Sequence, residues 1–177
     1  MRERPLTMNE VFLAKLVFVG SIAYHRVRIH SHGYVPFQPG DSGMTPNGEI
    51  YLKGISSPDF ALDARPLKGI FIHEMAHVWQ RQNGVLCPTW SAIGNSLRHG
   101  FRYTRAYRYT LNPSLDLLDY RMEQQAQIIE DYYWLFILGR NPPRPFVQNQ
   151  ETGDSLKQLY LAVLKQFLDN PGYAKSS

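Results

Sequence analysis

Phe71-Ile72-His73-Glu74-Met75-Ala76-His77-Val78-Trp79-Gln80 is the stretch from which the rest of the chain can be read. Pro66 ahead of it suits the first turn of a helix and Gly84 behind it suits the C′ position, so residues 66–83 are predicted as one helix. Side chains four apart on a helix lie about 40° apart around its axis. The imidazoles of His73 and His77 therefore leave from one face and can share a metal ion. Zn²⁺ takes histidine nitrogens at roughly 2.0–2.1 Å in a four-coordinate site. Glu74 lies at the edge of that face, too near in sequence to be the third ligand but able to take a proton from a water that the metal activates. Phe71, Ile72, Met75, Val78 and Trp79 gather opposite the histidines, so one face is expected to anchor the helix and the other to be open for chemistry. The ordinary alternative is two core histidines and a surface glutamate. Spacing, helical context and apolar back together favour the metal.

Two histidines leave a ligand position to fill. Gln80 and Asn83 stand where the HExxHxxGxxH pattern of metzincins needs Gly and His, which excludes that subclass. A carboxylate from a later helix, as in gluzincins, is the remaining route. Residues 119–138 form such a helix, because Met122, Ala126, Ile129, Tyr133 and Phe136 recur at helical spacing. It offers Glu123 and Glu130, which share a face at a separation of seven, whereas Asp131 is expected to point to solvent. Geometry leaves Glu123 and Glu130 nearly equal, with His99 as a weaker third candidate. A surface role is the commoner fate of a glutamate.

Around these helices the chain is organised as follows. Residues 8–20 read as an amphipathic helix opened by a capping box from Thr7 and Glu10, and residues 24–29 alternate as a half-exposed strand. Residues 31–48 carry Gly33, Pro36, Pro39, Gly40, Gly43, Pro46 and Gly48 and read as a loop, followed by a short strand over residues 49–53. Residues 86–117 are left unassigned, and a last helix spans residues 154–170. No repeat or compositional break divides the 177 residues, so one α+β domain over residues 1–177 is expected, zincin-like, with several helices packed on a small sheet.

Composition limits the function classes. A hydrophobic share of 44% supports a packed core, and a net charge of +4 is too mild to identify a partner. Cys87 is the single cysteine, so neither an internal disulfide nor a thiolate metal cluster is available. Arg2 and Arg4 precede an apolar stretch over residues 11–23 that ends in Ser21-Ile22-Ala23, as a signal peptide would, but Glu10 and Lys15 interrupt the pattern. No run reaches the about eighteen apolar residues of a membrane span. The expectation is a protein made in the cytoplasm without a signal peptide.

HEMAHVWQ at residues 73–80, preceded by Arg26-Val27-Arg28-Ile29-His30 and Met44-Thr45-Pro46-Asn47-Gly48-Glu49-Ile50-Tyr51 and followed by Met122-Glu123-Gln124-Gln125, has a counterpart in a known family. These blocks, over roughly residues 8–138, resemble the C-terminal zinc metallopeptidase toxin domain of certain type VI secretion valine-glycine-repeat spike proteins. A looser likeness extends to HExxHVxQ peptidase domains of bacterial toxin-delivery particles. The resemblance implies one Zn²⁺ per chain held by His73, His77 and Glu123, and places Glu123 ahead of Glu130. It also implies a peptide or protein substrate, antibacterial action in the periplasm of a target cell, a secretion spike or adaptor, and an immunity protein. Two departures stand out: these 177 residues hold no spike domain, so a free-standing effector, an adaptor-loaded cargo or an excised domain is expected, and Gln127 occupies the position where gluzincins commonly carry an Asp that orients a histidine. Gln127, Glu130 or a backbone carbonyl could supply that bond instead. His99, Tyr107 and Tyr109 are the candidate donors to a reaction oxyanion.

Two other classes compete. Arginines interleaved with aromatics over residues 98–109 would suit a nucleic-acid or polyanion surface, although a half-buried element with a solvated face has the same pattern. A metal-binding protein without catalysis is the other; an intact Glu74 speaks against it.

Overall fold

The computed structural model describes residues 3–36, 38, 40–85, 104–143 and 145–176. Strand β1 (Glu3–Pro5) leads into helix α1 (Met8–Phe18). Thr7 accepts from the Glu10 amide and Glu10 accepts from the Thr7 amide, so the capping box expected from the sequence forms. The helix is not amphipathic in the expected sense: Met8, Phe12 and Leu16 are exposed while Glu10 is fully buried. The reason is a second duty of Glu10. Its carboxylate accepts from both terminal nitrogens of the Arg4 guanidinium, at 2.8 and 2.7 Å, and from the Phe60 amide at 2.9 Å, tying β1, α1 and the segment before the next helix together.

A 3₁₀ turn over Tyr24–Arg26 replaces the strand expected across residues 24–29, and only Arg28–His30 (β2) is extended. The side chains of Gln82 and Asn83 bind the Ala23 amide and the Ser21 carbonyl, which holds this segment in a turn against the end of the HExxH helix. The segment read as a loop contains a strand, β3 (Ser42–Met44), followed by β4 (Ile50–Lys53). The sheet order is β1-β2-β4-β3, with β2 and β4 parallel and the other pairs antiparallel. Ile29, Ile50 and Leu52 enter the core from one face, and His30 and Tyr51 stack on the other with centroids 4.2 Å apart.

Helix α2 (Arg65–Gln82) lies under that inner face. Every residue from Phe71 to Gln80 is buried, so neither face is open in the simple way the pattern suggested. The histidine side is covered too, because α2 packs most extensively on a later helix. A short turn of helix, α3 (Thr104–Tyr107), precedes Tyr109, which bridges to Val147. A capped 3₁₀ turn over Leu117–Asp119 then delays the expected helix. Asp116 accepts from the Leu118 amide, the chain extends through Tyr120 and Arg121, and helix α4 runs over Met122–Tyr132. It continues as a π-helical turn over Tyr133–Ile137. The C-terminal helix is also divided, into α5 (Gly153–Val163) and α6 (Lys165–Asp169). Helices and a small mixed sheet make the architecture α+β.

Candidate metal centre

His73 and His77 are one turn apart on α2, and their rings meet at 79° with centroids 5.0 Å apart. Across from them, Glu123 in the first turn of α4 brings its Oε2 to 3.5 Å from Nε2 of His73 and 3.3 Å from Nε2 of His77. The three donor atoms lie within 4.8 Å of one another and could hold a metal ion. The spacing itself is informative. A charge-assisted N–H···O contact closes to about 2.7–2.9 Å. Ligands around a four-coordinate ion with bonds of roughly 2.05 Å stand about 3.3–3.4 Å apart, and separations of 3.5 and 3.3 Å are nearer to that than to a closed hydrogen bond.

Each histidine is held through its other nitrogen. Nδ1 of His73 is 3.2 Å from Oε2 of Glu130, and that carboxylate in turn receives Nε2 of Gln127 at 3.2 Å and Nε1 of Trp134 at 3.4 Å. Glu130 is thus behind His73 rather than beside Glu123, although the two share a helix face. Gly69 makes this possible, since a Cβ there would come within 2.8 Å of both Glu130 Oε1 and Trp134 Nε1. Nδ1 of His77 pairs with Oε1 of Gln80 at 2.8 Å, and the Gln80 amide donates to the Met122 carbonyl and to Gln125. Sequence reasoning missed Gln80 in this role. Its available signal was a polar side chain one turn after His77 on the helix.

Charges within the cluster reinforce one another. Burial works against a charge on His73, but the carboxylates of Glu123 and Glu130 on either side of the ring outweigh it and hold the imidazole up at about 10. His77 is raised as well, with burial opposing and the Glu123 charge prevailing. Glu123 lies far below the usual carboxylate range; burial would raise it, and the neighbouring imidazoles overcome that.

Glu74 leaves the helix toward the sheet, where the Thr45 hydroxyl donates to its Oε2 at 2.6 Å. Tyr107 stands beside the cluster, its ring 5.5 Å from that of His73 and 5.5 Å from that of Phe146. Tyr109 does not face the cluster. Its buried hydroxyl meets Asp131 and Tyr160, which removes it as an oxyanion donor. Asp131 itself is fully buried, not turned to solvent as expected, and burial pushes its carboxyl up to about 7. Its partners Tyr109, Tyr160 and Gln127 supply the polar surroundings that solvent would have given. His99 and the rest of residues 98–103 of the arginine-rich segment lie outside the described residues. Of its described part, Tyr107 and Tyr109 pack inward, and Arg108 is exposed.

No protein-family model matches the chain. It is 38% identical over 169 residues to the type VI secretion system spike protein VgrG2b of Pseudomonas aeruginosa. That match takes in 93% of this chain but 15% of the spike protein. Among solved structures, the effector domain of Pseudomonas aeruginosa VgrG2b superposes with a TM-score of 0.66 at 32% identity, covering 93% of this chain and 82% of that domain. With sequence and fold shared over nearly the whole domain, the chain belongs to the family of the VgrG2b effector domain.

Proposed function

We propose that this chain is a zinc-dependent metallopeptidase that acts as an antibacterial effector of type VI secretion. The observation that carries the reading is the convergence of His73, His77 and Glu123 at ligand spacing, with Glu74 next to the first of them on the same helix. His73, His77 and Glu123 would hold the zinc, which would supply Lewis acidity toward a water and a peptide carbonyl. Glu74 takes the proton of the attacking water and returns it to the leaving amine. Glu130 and Gln80 keep the imidazoles of His73 and His77 in the orientation that presents Nε2. Tyr107, whose ring lies beside that of His73, is the described residue we assign as donor to the oxyanion. Membership in the VgrG2b effector-domain family supports delivery by a secretion spike, and an immunity protein would protect the producing cell.

Glu74→Gln is the decisive test. The amide is nearly isosteric and Glu74 is not a ligand, so zinc content and fold persist while hydrolysis falls by about 10²- to 10⁴-fold. Full activity in the zinc-loaded variant overturns the mechanism. For the compartment, the chain directed to the periplasm of a test bacterium is expected to stop growth, and the same chain kept in the cytoplasm is not. Toxicity in the cytoplasm alone would reject the proposed site of action.

A further inference from the structure

We propose that Thr45, together with Gly43, positions the carboxylate of Glu74 for proton transfer, an inference that rests on the reading of Glu74 as general base. A glutamate side chain has three rotatable torsions, and the helix that carries Glu74 fixes only where its Cα sits. A base that must meet a water at one place gains from losing that freedom before substrate arrives. The restraint comes from β3, at the edge of the sheet. Gly43 faces Leu52 across the strand pair, and Leu52 enters the core on the face that meets α2. A Cβ at Gly43 would lie 2.1 Å from Oε1 and 2.7 Å from Cδ of Glu74, so the bare strand backbone is a wall against which the carboxylate rests. Thr45, one residue beyond the strand and almost fully buried, donates its hydroxyl to Oε2 at 2.6 Å. That length is in the charge-assisted range of about 2.5–2.7 Å, stronger than an incidental hydroxyl contact. One contact is steric, the other attractive, and they act on different oxygens.

Acetohydroxamate is the probe. It chelates zinc through two oxygens, and its hydroxyl is hydrogen-bonded to a correctly placed carboxylate, so its affinity reports the position of Glu74 without turnover. In zinc-loaded protein, Thr45→Val and Gly43→Ala are expected to weaken acetohydroxamate by about tenfold, the order of one lost hydrogen bond to a charge. Thr45→Ser is expected to restore it. Zinc affinity, measured by competition with a chromophoric chelator, stays within about twofold, because neither residue is a ligand. On fluorescein-labelled casein, Thr45→Val lowers kcat and spares KM, since a positioning loss is felt in the transition state.

Unchanged acetohydroxamate affinity in both Thr45→Val and Gly43→Ala overturns the proposal, and so does loss of zinc from Thr45→Val, which would make the residue structural. If Thr45→Val does not fold, the same comparison is made between Gly43→Ala and the parent. Glu74→Gln separates the two readings. Full casein hydrolysis by that zinc-loaded variant removes the general-base reading itself, whereas lost hydrolysis there with unchanged acetohydroxamate affinity in Thr45→Val removes only the role of Thr45.

Discussion

Glu123 and Glu130 are chemically identical and two turns apart, yet the structure gives them opposite sides of His73. Glu123 approaches Nε2, where a metal would sit, and Glu130 approaches Nδ1 from behind. Removing the first deletes a donor atom; removing the second frees a ring to rotate while all three donors remain. Glu123→Ala is therefore expected to abolish stoichiometric zinc binding. Glu130→Ala should weaken it by about 10- to 100-fold, as losses behind a ligand usually do. Chelator competition on the two variants measures the order, and an equal or reversed ranking would reject the ligand assignment. Gly69 belongs to the same argument, because its missing side chain is what admits Glu130 and Trp134 to the back of His73.

Between elements, the fold places the candidate metal cluster at the crossing of α2 and α4, and Gln80 fastens that crossing. Its amide is fully buried and bonded on both ends, to His77 on its own helix and to Met122 and Gln125 on the other. Met122 precedes Glu123, so the bond also fixes the turn from which the third ligand projects. Gln80→Ala leaves buried partners without their bonds, and each such group costs about 1–3 kcal/mol. Urea unfolding of the metal-free variant is expected to show a loss of about 2–4 kcal/mol, since two or more partners are affected. A loss under about 0.5 kcal/mol, the range of an ordinary surface change, would show that α2 and α4 are held by apolar packing alone. The π-helical turn after Tyr132 has a related effect, shifting the residues that follow α4 out of the straight helical phase that the sequence pattern implies.

For the molecule as a whole, protons and the proposed metal would compete for one cluster. His73 in the metal-free chain is held up at about 10, above its ordinary value of 6.5. The imidazolium therefore stabilises the metal-free fold fully below the unfolded value, and that contribution is lost as pH rises through the folded one. Zinc requires the neutral ring, so each binding event below that range expels a proton. Zinc affinity is thus expected to climb from pH 6 to pH 8 while the metal-free protein loses stability over the same direction of change and onward to about pH 10. Zinc titrations and thermal unfolding at stepped pH measure both trends. Flat zinc affinity would mean that His73 carries no proton in the metal-free fold. Among the described residues no helix is long and apolar enough to cross a membrane.

HExxH spacing, the apolar back of α2 and the helical recurrence around Glu123 are local patterns, and a local pattern is legible because helix geometry alone converts it into direction. By itself the sequence therefore determined α2, the convergence of His73 and His77, the place of Glu74 beside them, and the existence of a helix carrying Glu123 and Glu130. The choice between those two glutamates was open from periodicity, since residues seven apart share a face. The family resemblance put Glu123 ahead, and the offset between α2 and α4 is what brings Glu123 rather than Glu130 to Nε2. The same limit hid Thr45, Gly43 and Gln80, whose partners lie 29, 31 and 42 residues away in the chain. It also turned Asp131 and Tyr109 inward, where each satisfies the other. Contacts across such separations depend on how finished elements pack, and packing is fixed by the volumes of all the buried side chains together rather than by any one stretch of residues.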